Sequence, residues 1–208
     1  MAVHYTINAH VVDIASDSPT DKDSFLIDTN VWYWTTYSRP SLSNTPPTKN
    51  QLSNYPQYIA KAHGAKAKLL RCGLSLPELA HVIEKTEREI YNKANKLQLG
   101  TKEYRHNVPA ERRRLAAEIQ SAWAQIKLIA RPADVIIDDV STEAALFNFS
   151  TNSLDGYDLF MIEAIRKIGV TQVITDDGDY AGVPGMTIFT CNANVIALAE
   201  QEGKLVSR

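Results

Sequence analysis

Short apolar runs alternate with longer stretches of helical spacing along this chain, and that rhythm constrains its fold more than any single residue. The runs are SFLID at 24–28, ADVIIDDV at 133–140, TQVIT at 171–175 and MTIFT at 186–190. Each has the length and bounding residues of a buried strand. Helices are expected over 55–71, 76–99 and 109–130, the last from the spacing of Leu115, Ile119, Ala122, Ile126 and Ile129. TNVWYWTTY (29–37) reads as the start of a helix capped by Thr29 or Asn30. STEAALFNFS (141–150) reads as a short helix opened by Ser141 or Thr142, and DGYDLFMIEAIRKIG (155–169) as an amphipathic one closed by Gly169. NANVIALAEQ (192–201) supplies a last helix. Strands that alternate with helices specify an α/β fold with a mostly parallel central sheet. Ligands of such sheets bind beyond the carboxyl ends of the strands, where Asp28 and Asp177 fall.

With 208 residues there is room for one large domain, expected over 24–208. Residues 1–23 form an extension in which Val3, Tyr5 and Ile7 alternate as one extra strand would. SRPSLSNTPPTKNQLS (38–53), with three prolines, reads as a long loop. No apolar run reaches the roughly 20 residues of a membrane span. The first residues lack a basic start followed by an apolar core, and Cys72 and Cys191 lack metal-type spacing. A cytoplasmic protein with reduced thiols is therefore expected. Net charge is only −2, yet residues 85–114 hold nine Lys or Arg and four Glu, while 134–186 hold ten Asp or Glu against Arg166 and Lys167. Either block alone reads as a solvated face. Together they place an acidic centre beside a basic flank, which suits a metal site that handles a polyanion.

The individual acids all have ordinary structural readings. Asp28 would cap a helix. Ser75-Leu76-Pro77-Glu78 has the form of a capping box. Asp155 would cap the helix that Asp158 begins, and Asp176-Asp177-Gly178-Asp179 would form an Asx turn. As a set they read differently. Strand ends and helix starts that each carry an acid can converge on one sheet edge, and crowded carboxylates repel one another until a cation neutralises them. Oxygen donors of this kind select hard cations such as Mg²⁺ or Mn²⁺, which activate water and stabilise charge on a phosphodiester.

The segments FLIDTNVW (25–32), LSLPELAHVI (74–83), LDGYDLFMIEAIRKIGVTQVITDDGDY (154–180) and VPGMTIFT (183–190) give the chain a resemblance to the PIN-domain family, which includes the VapC-type ribonuclease toxins. The resemblance implies a three-layer α/β/α fold and a metal-dependent endoribonuclease. Its catalytic and metal-binding acids fall on Asp28, Glu78, Asp158 and Asp177, with Asn30, Thr175 and Asp179 in support. It implies Mg²⁺ or Mn²⁺ as cofactor and RNA as substrate, with 5′-phosphate and 3′-hydroxyl products. A small antitoxin covering the acidic cleft, as in a type II toxin–antitoxin pair, and a homodimer are the implied partners. The chain is longer than small toxins of this kind, with the added length in 1–23, 38–53 and 86–114.

Other signals are weaker. Trp32, Tyr33, Trp34 and Tyr37 are expected mostly in the core, with one or two free to stack on bases. Arg112, Arg113 and Arg114 are consecutive and so point to different faces of a helix. His81 shares a helix face with Glu78 and reads as a hydrogen-bonded histidine, and Cys191 reads as buried. An aspartyl-phosphate enzyme fits poorly, because Asn30 stands where a dehalogenase-like phosphatase has its second Asp. The competing class is a non-catalytic RNA-binding or protein-interaction module on the same fold.

Overall fold

The structure is a computed structural model that describes residues 3–208. Six strands, β1 (His10–Asp13), β2 (Ser24–Ile27), β3 (Lys68–Cys72), β4 (Arg131–Ala133), β5 (Gln172–Ile174) and β6 (Thr187–Thr190), form one sheet in the order β1-β6-β5-β2-β3-β4. Every pairing is parallel. The helices are α1 (Thr29–Thr36), α2 (Lys49–Gly64), α3 (Ser75–Asn95), α4 (Thr101–Asn107), α5 (Pro109–Ile129), α6 (Asp139–Thr151), α7 (Asp158–Lys167) and α8 (Ala193–Gln201). The fold is thus the expected α/β type, with helices on both faces of a parallel sheet. None of these helices is long and apolar enough to cross a membrane.

Alternation along the strands builds the two faces. Phe25, Ile27, Leu69, Ile174 and Phe189 point to one side, where they meet Trp32 of α1, Tyr55 and Tyr58 of α2, Leu79 of α3 and Leu115 of α5. Leu26, Leu70, Val173 and Ile188 point to the other and meet Leu159, Ile162 and Ile165 of α7. Strands buried on both faces are what parallel sheets require. Each fully buried aromatic or large aliphatic side chain contributes about 1.5–3 kcal/mol. Val11 of β1 packs instead with Val195 and Ala199 of α8 at the sheet's edge.

Several elements differ from the sequence reading. The extra N-terminal strand exists, but at His10–Asp13 rather than over Val3 to Ile7. The expected loop at 38–53 gives way to a short 3₁₀ turn at Pro40–Leu42 and then to α2, which starts at Lys49 and tolerates Pro56 inside it. The helix expected over 55–71 ends early. Its lysine- and alanine-rich end favours helix, but Lys66 adopts a left-handed φ of 63° and the chain turns into β3. ADVIIDDV contributes only Ala133 to a strand, and Ile136 and Ile137 are exposed.

Three of the nine cations in the basic block at 85–114, Arg105, Arg112 and Arg114, are paired with buried acids of α3. Buried Glu84 pairs with Arg105 and Arg112, and buried Glu87 pairs with Arg39 and Arg114 while accepting the Tyr37 hydroxyl. These pairs lock α3 to α4, α5 and the segment after α1, and so fix the helix that carries Glu78. The strand order reverses between β2 and β5, with β3 and β4 lying to one side of β2 and β6 and β1 beyond β5. The crevice past the carboxyl ends of those two strands is where such a fold receives ligands.

Candidate metal centre

Asp28 follows β2 directly, and its N–H donates to the Ile174 carbonyl of β5 at 3.0 Å, which fixes it at the reversal. One carboxylate oxygen accepts the Thr29 N–H at 2.6 Å and caps α1. The other accepts the Thr175 hydroxyl at 2.7 Å, with the Asn30 amide 3.5 Å away. Asp28 is therefore the helix cap, the structural role also read for it above, in place of Thr29 or Asn30, and its carboxylate is buried at the carboxyl edge of the sheet.

Glu78 sits in the first turn of α3, but the expected capping box with Ser75 does not form. The residue before α3 makes no side-chain cap, and the Ser75 hydroxyl faces the Met161 sulfur at 3.6 Å. Glu78 accepts the Thr29 hydroxyl at 2.7 Å instead, reaching across to α1. Asp158, the first residue of α7, is buried and accepts the Tyr180 hydroxyl at 2.6 Å. Asp155 does not cap that helix; its side chain is exposed. Asp177 begins a 3₁₀ turn at Gly178–Gly182 and accepts the Asp179 N–H at 2.9 Å, while its own N–H donates to the Thr175 hydroxyl at 2.9 Å. One buried hydroxyl, that of Thr175, thus ties Asp28 to Asp177. Asp176 is turned away, accepting from Gln51 at 2.6 Å and Tyr55 at 2.7 Å.

The electrostatics bind these acids into one group. Burial pushes Asp158 well above the ordinary carboxylate range, and the charges of Asp28, Glu78 and Asp177 push it further. Burial also raises Asp28, with Glu78 and Asp177 adding to the effect and the Thr175 hydroxyl opposing it. Glu78 is raised by burial and then by Asp155 and Asp177, against the Thr29 hydroxyl and His81. Asp179 is raised by burial, Asp177 and Asp155, so it belongs to the same field. Among the described residues, none of Asp28, Glu78, Asp158 and Asp177 forms a salt bridge.

Oxygen-only donors without a protein counter-charge fit a hard divalent cation. Among the described residues, no three His, Cys, Asp or Glu side chains are drawn into a closed ligand set. The carboxylates are held by Thr29, Thr175 and Tyr180, donors that keep mutually repelling charges in place. The donor chemistry of Asp28, Glu78, Asp158 and Asp177 fits the metal that the resemblance implies.

A cleft of about 820 Å³ opens beside this group. Glu78, Asp155 and Asp158 line it together with Arg105, Arg112 and Trp123. The Arg71 guanidinium lies 5.3 Å from the Trp123 ring centre. His81 also lines the cleft, but it is exposed and makes no hydrogen bond among the described residues, contrary to the sequence reading. Trp32, Tyr33 and Tyr37 are buried, and Trp34 leans on Tyr55 at 5.4 Å, so this run packs the core. Cys191 is only half-buried.

Three residues that hold the site carried no such assignment in the sequence. Thr29 and Tyr180 position Glu78 and Asp158, and Tyr180 is readable only as the aromatic closing the T-x-D-x-D-Y pattern. Tyr5 covers the acidic turn so closely that a β-carbon on Gly178 would fall 2.3 Å from its ring. No family model matches the chain, and no curated protein matches it significantly.

Proposed function

We propose that this chain is a PIN-like, Mg²⁺- or Mn²⁺-dependent endoribonuclease that hydrolyses RNA phosphodiester bonds. One observation carries the reading. Asp28, Glu78, Asp158 and Asp177 come from four separate elements, share one electrostatic field and have no salt-bridge partner among the described residues. Bound there, a divalent cation supplies Lewis acidity toward a phosphoryl oxygen and lowers the pKa of water.

The chain's own groups do the rest. The Thr175 and Thr29 hydroxyls and the Tyr180 phenol each donate to a carboxylate, which orients Asp28, Glu78 and Asp158 and favours their charged forms. Arg105 and Arg112 keep part of their charge exposed in the adjoining cleft, where they can meet phosphates flanking the bond to be cut. Trp123 offers a face on which a base can stack. RNA rather than DNA, a small antitoxin covering the cleft and a homodimer follow from the family resemblance, and a cytoplasmic location from the spacing of Cys72 and Cys191.

The test is cleavage of RNA by the purified protein with Mg²⁺, Mn²⁺ or EDTA, beside Asp28→Asn and Asp158→Asn. Activity is expected with either metal and in neither variant. Cleavage in EDTA, or full activity in both variants, refutes the mechanism. Metal-insensitive RNA binding without cleavage assigns the fold to the non-catalytic module.

A further inference from the structure

Helix α6 is assembled inside out. The residues it buries are Ser141, Ala145 and Asn148, which are small or polar. Its large apolar side chains face outward: Val140 is 72% exposed, Phe147 67%, Phe149 62% and Leu146 61%. Val140 and Phe147, two turns apart, form one outward line, and Leu146 and Phe149 form a second. Ile136 (69%) and Ile137 (59%), just before the helix, extend the surface. A surface helix normally turns its apolar stripe to the core.

Polar contacts hold this helix in place. The Asn148 amide donates to Glu163 of α7 at 2.7 Å, and Arg166 reaches the same carboxylate at 3.2 Å. Asp138 and Ser141 form a capping box at its start. The outward apolar groups are therefore not needed to attach α6 to the domain. An exposed cluster of this kind marks a contact surface for another molecule.

Charge selects the occupant. No Lys, Arg or His occurs from 132 to 165; exposed Asp134 and Asp138 precede α6, and exposed Asp139 and Glu143 lie on its outward face between the two apolar lines. Lys167 of α7 is the cation whose charge reaches Asp138. A second copy docked by this face would oppose acid to acid across a two-fold axis, and an anionic bilayer would be repelled. We infer that the outer face of α6 binds a cationic amphipathic helical segment of a partner protein, whose apolar stripe covers the Val140–Phe147 line while its lysines or arginines meet Asp139 and Glu143 beside that line. None of these residues belongs to the carboxylate group, so the inference does not rest on the nuclease reading.

The test uses the full chain and fluorescently labelled helical peptides. An amphipathic leucine/lysine peptide is the probe, with leucine/glutamate and serine/lysine peptides as controls. Fluorescence anisotropy should show salt-sensitive binding of the leucine/lysine peptide alone. V140S/F147S should weaken it roughly tenfold or more, as expected for loss of central apolar anchors. D139N/E143Q should weaken it and flatten its salt dependence. The melting temperature of V140S/F147S should match the parent's, since these side chains are exposed. Equal binding of all three peptides, or binding unchanged in V140S/F147S, overturns the inference. So does a concentration-dependent dimer that V140S/F147S abolishes, or binding to phosphatidylserine vesicles that the same variant loses.

Discussion

Thr175→Val isolates the hydroxyl that ties two of the candidate metal ligands together. The side chain is fully buried and valine preserves its shape, so the change removes one oxygen and little else. That oxygen donates to Asp28 at 2.7 Å and accepts the Asp177 N–H at 2.9 Å. A hydrogen bond to a charged group contributes about 1.5–3 kcal/mol and a neutral one about 1 kcal/mol. The sum is roughly 3 kcal/mol at pH 8, about 6–12 °C in melting temperature for a domain of this size. The loss must also depend on pH. Asp28 already lies above the ordinary carboxylate range, and the Thr175 hydroxyl, ahead of the Thr29 N–H, opposes that rise. The folded state therefore holds a proton on Asp28 at pH values where the unfolded chain, with a carboxyl pKa near 4, has released it. Stability falls as pH climbs through that window. Without the hydroxyl the folded pKa rises further and the window widens upward. The difference between parent and variant should be larger at pH 8 than at pH 5 by about 1 kcal/mol or more, the margin between a charge-assisted and a neutral bond. Urea titrations at the two pH values in EDTA measure it, and Thr175→Ser should restore most of the loss. An equal loss at both pH values, or a total below about 1 kcal/mol, would refute the assigned role of this hydroxyl.

The same field predicts how the parent protein responds to metal. Burial and mutual repulsion raise Asp28, Glu78 and Asp158, so in EDTA the melting temperature should fall between pH 5 and pH 8; Mn²⁺ or Mg²⁺ should restore it at pH 8 and have little effect at pH 5. A metal-insensitive melting curve at pH 8 counts against the site. Gly178→Ala should displace the Tyr5 ring from the acidic turn, destabilising the parent by about 1–3 kcal/mol but a Tyr5→Ala background far less; urea titrations that give additive losses refute the contact. Glu87→Ala leaves the buried Tyr37 hydroxyl without its acceptor, while Arg39 keeps Glu118 and the part-exposed Arg114 keeps Glu111, so it should cost about 1–3 kcal/mol in a urea titration, and a loss under about 0.5 kcal/mol would place that network at the surface.

The features legible in the sequence were those set by short-range pattern. Buried strands of a parallel sheet are apolar on both faces, so SFLI, QVI and TIFT announce themselves, and the Asp that follows the first of them marks a sheet's carboxyl edge. β3 stayed hidden because the turn before it is made by Lys66 in a left-handed conformation, which no composition rule flags at a lysine. The Ser75–Glu78 spacing is correct for a capping box, yet the Thr29 hydroxyl, brought in by another element, takes the glutamate instead. Local rules describe what a helix start can do alone, and tertiary contacts decide which partner it takes.

Asp28 shows why the structural and chemical readings of such acids need not compete. One of its oxygens caps α1 and the other meets Thr175, so the cap itself fixes the direction in which the carboxylate is offered. Asp177 repeats the device, capping a 3₁₀ turn while its amide is held by the same threonine. Two acids positioned by the helical turns they begin need few other supports, which places them at the carboxyl edge of the sheet as a consequence of where those turns must start. The apolar run at 135–137 teaches the converse. Hydrophobicity made it read as a strand, and the structure leaves Ile136 and Ile137 exposed beside an inside-out helix. Apolar character reports that a segment is to be covered; whether the cover comes from the chain's own sheet or from another molecule is decided by the neighbours, and here those neighbours are acidic and outward-facing.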